Sequence, residues 1–464
     1  MHILLFVCVL VLIVLKVESL SVCDQCLCSY DSQGGRDVHG QDVDCSYIPG
    51  VYRENITMPT TVYSLDLSSN NITVLKSYPF FRSTTMVELY LNSNNIAEIA
   101  SANVFDLPNL KKLDLSNNKL EMVQEDVFRN LRSLEYLNMA NNNFAHLVNF
   151  QHLSNLNELV LDNNNIGPML RQTNIFDRKG YGVTKKLKSL SISGVQLNVV
   201  PDNMFSDVYD IRKIVISNNN LSDTFEIPIT LEYLDLSDNP IKEFGPEDFS
   251  ESPGLKTLKL NNLAITEVPE FAFYSLRALA NLELERNKNL TQFSPYAFGQ
   301  EVLEDPDDFL LESLSLRGSR LTGLDEQLLD LFGQLTRLDL QGNPWRCDCR
   351  LVWLKKLQIP KNDYEHLRCA SPKPLKNKNI FEIKEKNFIC PPDKHYVGIA
   401  IAAVALCAVL SCMAIWLFFI MPRYQSRSTF IQNMYASTTA YSVLPLSRKE
   451  TLGPWGPGAH SLYR

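Results

Sequence analysis

The sequence predicts an α/β-type solenoid: stacked repeats with one parallel sheet, a cysteine-rich segment at each end, one transmembrane helix and a flexible tail. Three observations predict this fold class. An apolar pattern recurs about every 24 residues, a cysteine cluster lies on each side of the repeats, and one long stretch near residue 400 carries no charge. Of the 464 residues, 45% are hydrophobic and 21% are charged, a composition typical of a folded protein.

The repeat has the pattern L-x-x-L-x-L-x-x-N-x-L, in which other apolar residues can replace leucine. The alternation in L-x-L predicts a strand with one buried face. One repeat cannot bury its apolar face alone, so neighbouring repeats must stack. Seven of the eleven spacings are 24 residues, and the twelve matches begin at Val62, Met86, Leu110, Leu134, Leu156, Leu187, Ile211, Leu231, Leu255, Leu279, Leu311 and Leu335.

An asparagine follows the strand in nine repeats, where its amide can satisfy the backbone of adjacent turns. Three repeats have Val195, Leu263 or Ser319 at this position, and we expect local irregularity there. A second apolar row recurs about 18–19 residues into many repeats and is expected in the core: Phe81, Phe105, Phe128, Phe205, Phe249, Phe273 and Phe298.

Two groups of four cysteines flank the repeats. The sequence alone permits three disulfide pairings in each group. Zinc is the alternative for the Cys-x2-Cys spacing, but a secretory route favours oxidation. The first group is Cys23, Cys26, Cys28 and Cys45, and the second is Cys347, Cys349, Cys369 and Cys390.

Two apolar stretches predict the topology. Residues 1–21 have the features of a secretory signal peptide, and the 24 uncharged residues 397–420 are long enough to cross a bilayer. Arg423 and Arg427 follow this span, as the positive-inside rule requires for a cytosolic C-terminus. The tail, residues 421–464, carries a net charge of +4 and the preceding part carries −12. We therefore predict a single-pass type I protein of the plasma membrane with an extracellular N-terminus.

The repeat pattern and both cysteine groups resemble the extracellular leucine-rich repeat family of single-pass type I membrane proteins with N- and C-terminal cysteine-rich caps. The resemblance covers about residues 23–390 and implies a leucine-rich repeat horseshoe. It also implies the pairs Cys23–Cys28, Cys26–Cys45, Cys347–Cys369 and Cys349–Cys390. The expected domains are an N-terminal cap at 22–61, twelve repeats at 62–343, a C-terminal cap at 344–390 and a short stalk at 391–396.

No motif in the chain indicates catalysis. The sequence has no nucleophile elbow, zinc-binding H-E-x-x-H or phosphate-binding loop, so we expect neither an enzyme nor a cofactor. The net charge of −8 argues against binding of nucleic acid.

Function is therefore expected on surfaces. The polar residues around L-x-L face the concave side, where tyrosine favours contact with a protein partner. The alternative is that this face is polar only to keep the protein soluble. The predicted partner-binding residues are Glu88, Tyr90, Asp114, Tyr136, Glu158, Asp162, Tyr233, Asp235, Glu283 and Glu285.

Four sequons predict glycosylation at Asn55, Asn71, Asn220 and Asn289. In the tail, the segment from Tyr441 to Leu444 resembles an endocytic sorting signal of the form Y-x-x-Φ.

Together these features predict a cell-surface recognition or adhesion receptor for an extracellular or cell-surface protein. One alternative is an innate immune pattern-recognition receptor or co-receptor. Another is a trafficking or ligand-presenting adaptor. A lateral co-receptor in the same membrane is a further possible partner.

Overall fold

The computed structural model describes residues 20–30, 41–177, 180–300, 302, 310–391, 394–421 and 423. The chain divides into two units, Met1–Cys390 and Pro391–Arg464. Nearly all of the predicted signal peptide and tail, including Tyr441 and Leu444, lie outside the described residues.

The first unit is built around one sheet of fourteen strands in sequence order. The first two strands pair antiparallel, and every later neighbour is parallel. Each of the twelve predicted repeats contributes one strand. The strands are Leu27–Tyr30, Gln41–Asp44, Val62–Asp66, Glu88–Tyr90, Lys112–Asp114, Tyr136–Asn138, Glu158–Val160, Ser189–Ser191, Lys213–Val215, Tyr233–Asp235, Thr257–Lys259, Asn281–Glu283, Ser313–Ser315 and Arg337–Asp339.

Equivalent repeat positions lie opposite each other in this sheet. Leu89 pairs with Leu113, and Leu113 pairs with Leu137. These central leucines are fully buried, whereas the residues on either side of each are half-buried. The period-two alternation therefore points one side chain per strand into the core and two toward the concave surface.

The repeat asparagines join neighbouring repeats, as Asn118 illustrates. Its buried amide nitrogen donates to the carbonyl oxygens of Leu91 and Leu115, each at 3.0 Å. Its side-chain oxygen accepts from the backbone N–H of Ile96 at 3.0 Å. This one side chain thus satisfies backbone groups in two repeats. The three-residue strands would otherwise leave those groups without a hydrogen-bond partner.

The expected irregularity at Val195, Leu263 and Ser319 is absent from the sheet. The strand register is unbroken through these three repeats. Val195 is fully buried and Leu263 nearly so, and the Ser319 hydroxyl donates to the carbonyl oxygen of Leu284 at 3.3 Å. Strand pairing and apolar burial thus hold the strand register without the amide. Outside the strands, the residue after Val195 is irregular, because Gln196 has a positive φ of 64°.

The other side of the solenoid is made of turns, short strands and short helices. The predicted phenylalanines are buried there and contact their neighbours, with ring centroids 5.5 Å apart for Phe81 and Phe105.

The remaining elements of the first unit are short. The paired strands are Leu20–Ser21 with Ile56–Thr57, Val74–Leu75 with Glu98–Ile99, Glu267–Val268 with Gln292–Phe293, and Trp345–Arg346 with Cys369–Ser371. The α-helices are Gly167–Leu170, Leu329–Gly333 and Lys361–Tyr364. The 3₁₀ helices are Val22–Asp24, Pro79–Phe81, Pro246–Phe249, Glu326–Leu328, Val352–Lys356, Lys373–Leu375, Ile380–Glu382 and Glu385–Asn387.

Four disulfides close the two ends of the solenoid, where the apolar core would otherwise meet water. They join Cys23 to Cys28, Cys26 to Cys45, Cys347 to Cys369 and Cys349 to Cys390, the pairs that the resemblance implies. In the C-terminal cap, Trp345 and Trp353 are fully buried under these bonds.

The second unit contains the α-helix Lys394–Ile415, which continues as a π-helical turn over Trp416–Ile420. Residues Gly398–Ile420 are long and apolar enough to cross a membrane, by length and composition.

Candidate protein-binding surface

The structure brings the predicted partner-binding residues to one surface, the concave face of the fourteen-stranded sheet. Along this face, equivalent positions form rows that run across the strands. One row contains Glu88, Lys112, Tyr136 and Glu158 in succession. The next row contains Tyr90, Asp114 and Asn138. Residues that are 22–24 apart in sequence are therefore direct neighbours in space.

The first cluster on this face is a lysine between two tyrosines. The ammonium nitrogen of Lys112 lies 4.8 Å from the ring centroid of Tyr90 and 5.4 Å from that of Tyr136. Both distances are within the range of a cation–π contact. We call Tyr90, Lys112 and Tyr136 the tyrosine–lysine cluster. Its three side chains restrain one another and present two aromatic rings at a half-buried surface.

Carboxylates surround this cluster. The Tyr90 hydroxyl donates to Glu88 Oε2 at 2.9 Å, and Asn138 Nδ2 donates to Asp114 Oδ2 at 3.3 Å. Burial raises the pKa of Tyr136, and the charges of Asp114 and Glu158 raise it further. The rings are therefore neutral phenols at physiological pH, with negative charge along both sides.

A second cluster lies further along the sheet. Lys213 Nζ is 5.4 Å from the ring centroid of Tyr233, and Lys259 forms an ion pair of 3.0 Å with Glu283. The Tyr136 and Lys213 strands are three steps apart in the sheet, about 14 Å at the usual strand spacing. The two clusters can therefore contact one partner together.

Glu283 and Glu285 are held by neighbouring strands. Asn261 Nδ2 donates to Glu283 Oε2 at 2.8 Å, and the Ser315 hydroxyl donates to Glu285 Oε1 at 2.8 Å. Asp235 accepts from the backbone N–H of Ser237 at 2.9 Å. With Lys259 on its other oxygen, Glu283 has both carboxylate oxygens engaged within the face, whereas these bonds use only one oxygen each of Glu285 and Asp235.

Asp162 lies between the two clusters and is more enclosed than the other predicted acids. It accepts hydrogen bonds from the Ser191 hydroxyl at 2.7 Å and from the backbone N–H of Ser193 at 2.7 Å. Burial raises the pKa of its carboxyl group, although both hydrogen bonds act in the opposite direction. These contacts suit Asp162 to holding two strands together more than to binding a partner.

Lys213 is a residue that the expected set leaves out. It follows Ile211 by two residues, as Lys112 follows Leu110 and Tyr233 follows Leu231. The repeat register could therefore have placed it on the concave face. Its contact with Tyr233, in contrast, depends on the parallel pairing of their strands.

All four sequon asparagines are exposed, and none belongs to a strand of the main sheet. Asn71, Asn220 and Asn289 each precede a buried residue that follows the repeat asparagine, namely Ile72, Leu221 and Leu290. Glycans at these positions would leave the concave strands open.

No group of three or more His, Cys, Asp or Glu side chains in the described part of the chain is arranged to hold a metal ion. The concave face is therefore a set of aromatic rings, ammonium groups and carboxylates, which is chemistry suited to recognition.

Comparison with known families agrees with the repeat architecture. The sequence profile of the leucine rich repeat matches residues 60–120 and 108–166. The profile of the BspA type leucine rich repeat region matches residues 198–306. Both matched regions of the chain are thus similar to leucine-rich repeats.

Two relatives show how far the sequence similarity extends. The leucine-rich repeat and fibronectin type III domain-containing protein 1 of Danio rerio is 30% identical over 175 residues, 37% of this chain and 26% of that protein. Nephrocan of Mus musculus is 30% identical over 160 residues, 32% of this chain and 31% of that protein. The leucine-rich repeat chain thus spans less than a third of the length of either relative.

Solved structures give weaker similarities. The Toll–Spatzle complex of Drosophila matches with a TM-score of 0.46 and 20% identity, over 72% of this chain and 56% of that chain. A leucine-rich repeat protein of Leptospira interrogans matches with a TM-score of 0.48 and 23% identity, over 62% of this chain and 70% of that chain. The strand register of the leucine-rich repeats carries the fold assignment without them.

Proposed function

We propose that this leucine-rich repeat chain is a cell-surface recognition or adhesion receptor that binds a protein through its concave face. Its N-terminus would be extracellular, and the helix that includes Gly398–Ile420 would cross the plasma membrane once. Its role is binding rather than catalysis.

The observation that carries the proposal is the tyrosine–lysine cluster. Tyrosine rings bury a large area at low cost in conformational entropy, and they are frequent among the residues that dominate protein interfaces. Here the contacts of Lys112 with Tyr90 and Tyr136 restrain both rings before any partner arrives. Such restraint lowers the entropy lost on binding.

The charge of the face specifies the partner further. Glu88, Asp114 and Glu158 border the cluster, and residues 22–343 carry a net charge of −18. A protein surface with basic and aromatic side chains would complement this face. Binding to such a surface should weaken as the salt concentration rises.

A binding screen tests the proposal. The ectodomain, residues 22–390, is made multivalent and applied to cells that each display one surface protein, including this chain itself. We expect a specific partner whose binding falls at least about tenfold with Tyr136→Ala, because tyrosines at the centre of an interface commonly contribute more than ~1.4 kcal/mol.

The matched control is Tyr209→Ala, which removes a tyrosine that is 67% exposed and lies outside the sheet strands. It should bind as the unmodified ectodomain does. Equal loss with both variants, or binding that neither variant affects, would refute recognition through the concave face.

A further inference from the structure

The ectodomain has two parts of opposite charge. Residues 22–343 contain 26 basic and 44 acidic side chains, a net charge of −18. Residues 344–390, the C-terminal cap, contain 11 basic and 5 acidic side chains, a net charge of +6. A positive charge of this density within an acidic protein indicates a local role for the cap.

Some cap cations are already engaged. Arg346 and Arg350 pair with Asp348 at 3.0 and 2.7 Å, and Lys356 pairs with Glu326 at 3.2 Å. Seven others are exposed and take part in none of the ion pairs within the described residues. Lys361 is one of them, and we call the six that follow it the basic ribbon: Arg368, Lys373, Lys376, Lys378, Lys384 and Lys386.

The backbone that carries the basic ribbon is held in place. The Cys369 N–H donates to the Lys378 carbonyl at 3.0 Å, and the Asn377 N–H donates back to the Cys369 carbonyl at 2.8 Å. The disulfide between Cys347 and Cys369 ties this loop to the start of the cap, four residues after the last repeat.

Buried apolar side chains anchor this loop. Leu375, Ile380, Ile383 and Phe388 are buried and alternate in sequence with the exposed cations. This preorganised segment of nineteen residues thus carries six exposed cations and two exposed acids, Glu382 and Glu385, a net charge of +4. A polyanion would complement that positive charge.

We propose that the basic ribbon binds a linear sulfated polysaccharide. Five of its six cations are lysines, which are compact point charges suited to exchangeable contacts along a polyanion. Lysine is depleted at interfaces between folded proteins, which argues against the acidic repeats of a second copy as the partner. Polysaccharide is favoured over anionic lipid by the extracellular position of the cap, and this choice rests on the topology in the proposed function.

The test uses the full-length chain in detergent micelles and heparin as the probe, immobilised on a column and in solution. The variant is Lys376→Gln, Lys378→Gln, Lys384→Gln and Lys386→Gln together. We expect the unmodified chain to be retained at 0.15 M salt, which is about physiological. We expect the variant to elute at lower salt and to bind heparin at least about tenfold more weakly, with a shallower dependence of affinity on salt.

The matched control replaces four exposed lysines of the acidic repeats, Lys76, Lys119, Lys242 and Lys288, by glutamine. It changes the net charge equally and should leave heparin binding unchanged. If the fourfold ribbon variant fails to fold, the pair Lys384→Gln and Lys386→Gln makes the same comparison. Tyr136→Ala should retain heparin binding, which separates this proposal from the concave-face proposal.

Three results would overturn the proposal. The first is equal loss of heparin binding in the ribbon and control variants. The second is binding to vesicles containing phosphatidylserine, lost in the ribbon variant, without binding to heparin. The third is self-association in sedimentation velocity, lost in the ribbon variant, again without binding to heparin.

Discussion

Asp162 occupies a position that the repeat pattern assigns to partner binding, but its contacts give it a structural role. Its carboxylate lies on the concave face, yet it accepts hydrogen bonds from Ser191 and Ser193, 29 and 31 residues later. These bonds join two strands across an overlong repeat, the one that begins at Leu156 and has 31 residues instead of 24. Because burial raises its pKa, the charged carboxylate is less favourable in the folded protein than in the unfolded chain.

This shift predicts a pH dependence for Asp162→Asn. With a raised pKa in the folded state, folding favours proton uptake, so the contribution of Asp162 to stability falls as pH rises from about 4, near its unfolded pKa. The asparagine oxygen can still accept the bond from the Ser193 N–H. We expect the variant to gain stability relative to the unmodified ectodomain as the pH rises above about 4.

Denaturant unfolding of the ectodomain at several pH values measures this difference. Asp202→Asn, at an exposed position, controls for the loss of one negative charge. A difference between Asp162→Asn and the unmodified protein that is constant with pH would contradict the prediction.

The short helix Gly167–Leu170 illustrates how an element depends on a close approach between repeats. A Cβ atom added at Gly167 would lie 2.5 Å from the backbone carbon and oxygen of Gln196 and from the carbonyl oxygen of Val195. The Gly167 N–H donates to that Val195 carbonyl at 2.8 Å. The overlong repeat therefore fits against its neighbour only with glycine at this position.

We predict that Gly167→Ala lowers the free energy of unfolding by about 1–3 kcal/mol, because rigid backbone must move to admit the methyl group. Gly333→Ala is the matched control. Gly333 also lies at the end of a short helix, and no atom lies within 4 Å of its added Cβ. That control should change stability by less than about 1 kcal/mol. If both variants lose a similar amount of stability, the cause is the loss of a glycine at a helix end and not the contact of Gly167 with Val195 and Gln196.

At the scale of the whole molecule, the sequons and the apolar helix predict one topology. Glycans are added on the luminal side of the secretory route, so the predicted glycosylation requires all four asparagines to lie on the side of the membrane opposite the basic tail. In cells that express the full chain, enzymatic removal of N-glycans should increase its electrophoretic mobility. Replacing Asn55, Asn71, Asn220 or Asn289 singly by Gln should reduce this mobility shift by the contribution of one glycan.

Antibody access supplies the complementary measurement. A tag after Arg464 should be stained only in permeabilised cells, whereas an ectodomain tag should be stained on intact cells. A tail tag accessible on intact cells, or a chain without N-glycans, would contradict the predicted type I topology.

The repeat architecture was predictable because its information is local. Alternation in L-x-L determines which side chains are buried, and the 24-residue period makes equivalent leucines neighbours, as Leu89, Leu113 and Leu137 are. The cysteine spacing restricted but did not determine the disulfides. The strand register shows no irregularity at Val195, Leu263 or Ser319, since strand pairing across many repeats overrides the loss of one side-chain amide; only the backbone of Gln196, next to Val195, departs from the pattern with its positive φ.

The sequence by itself determined the strand positions, the buried rows and the polar concave face, because each follows from the period of apolar residues along the chain. Only the tertiary structure decided what that face contains. Lys112 meets both Tyr90 and Tyr136 because parallel stacking places residues of three repeats side by side. Asp162 is enclosed because a strand from beyond the overlong repeat returns beside it. Contacts between side chains depend on which residues are neighbours in space. The pattern within a single repeat does not specify those neighbours.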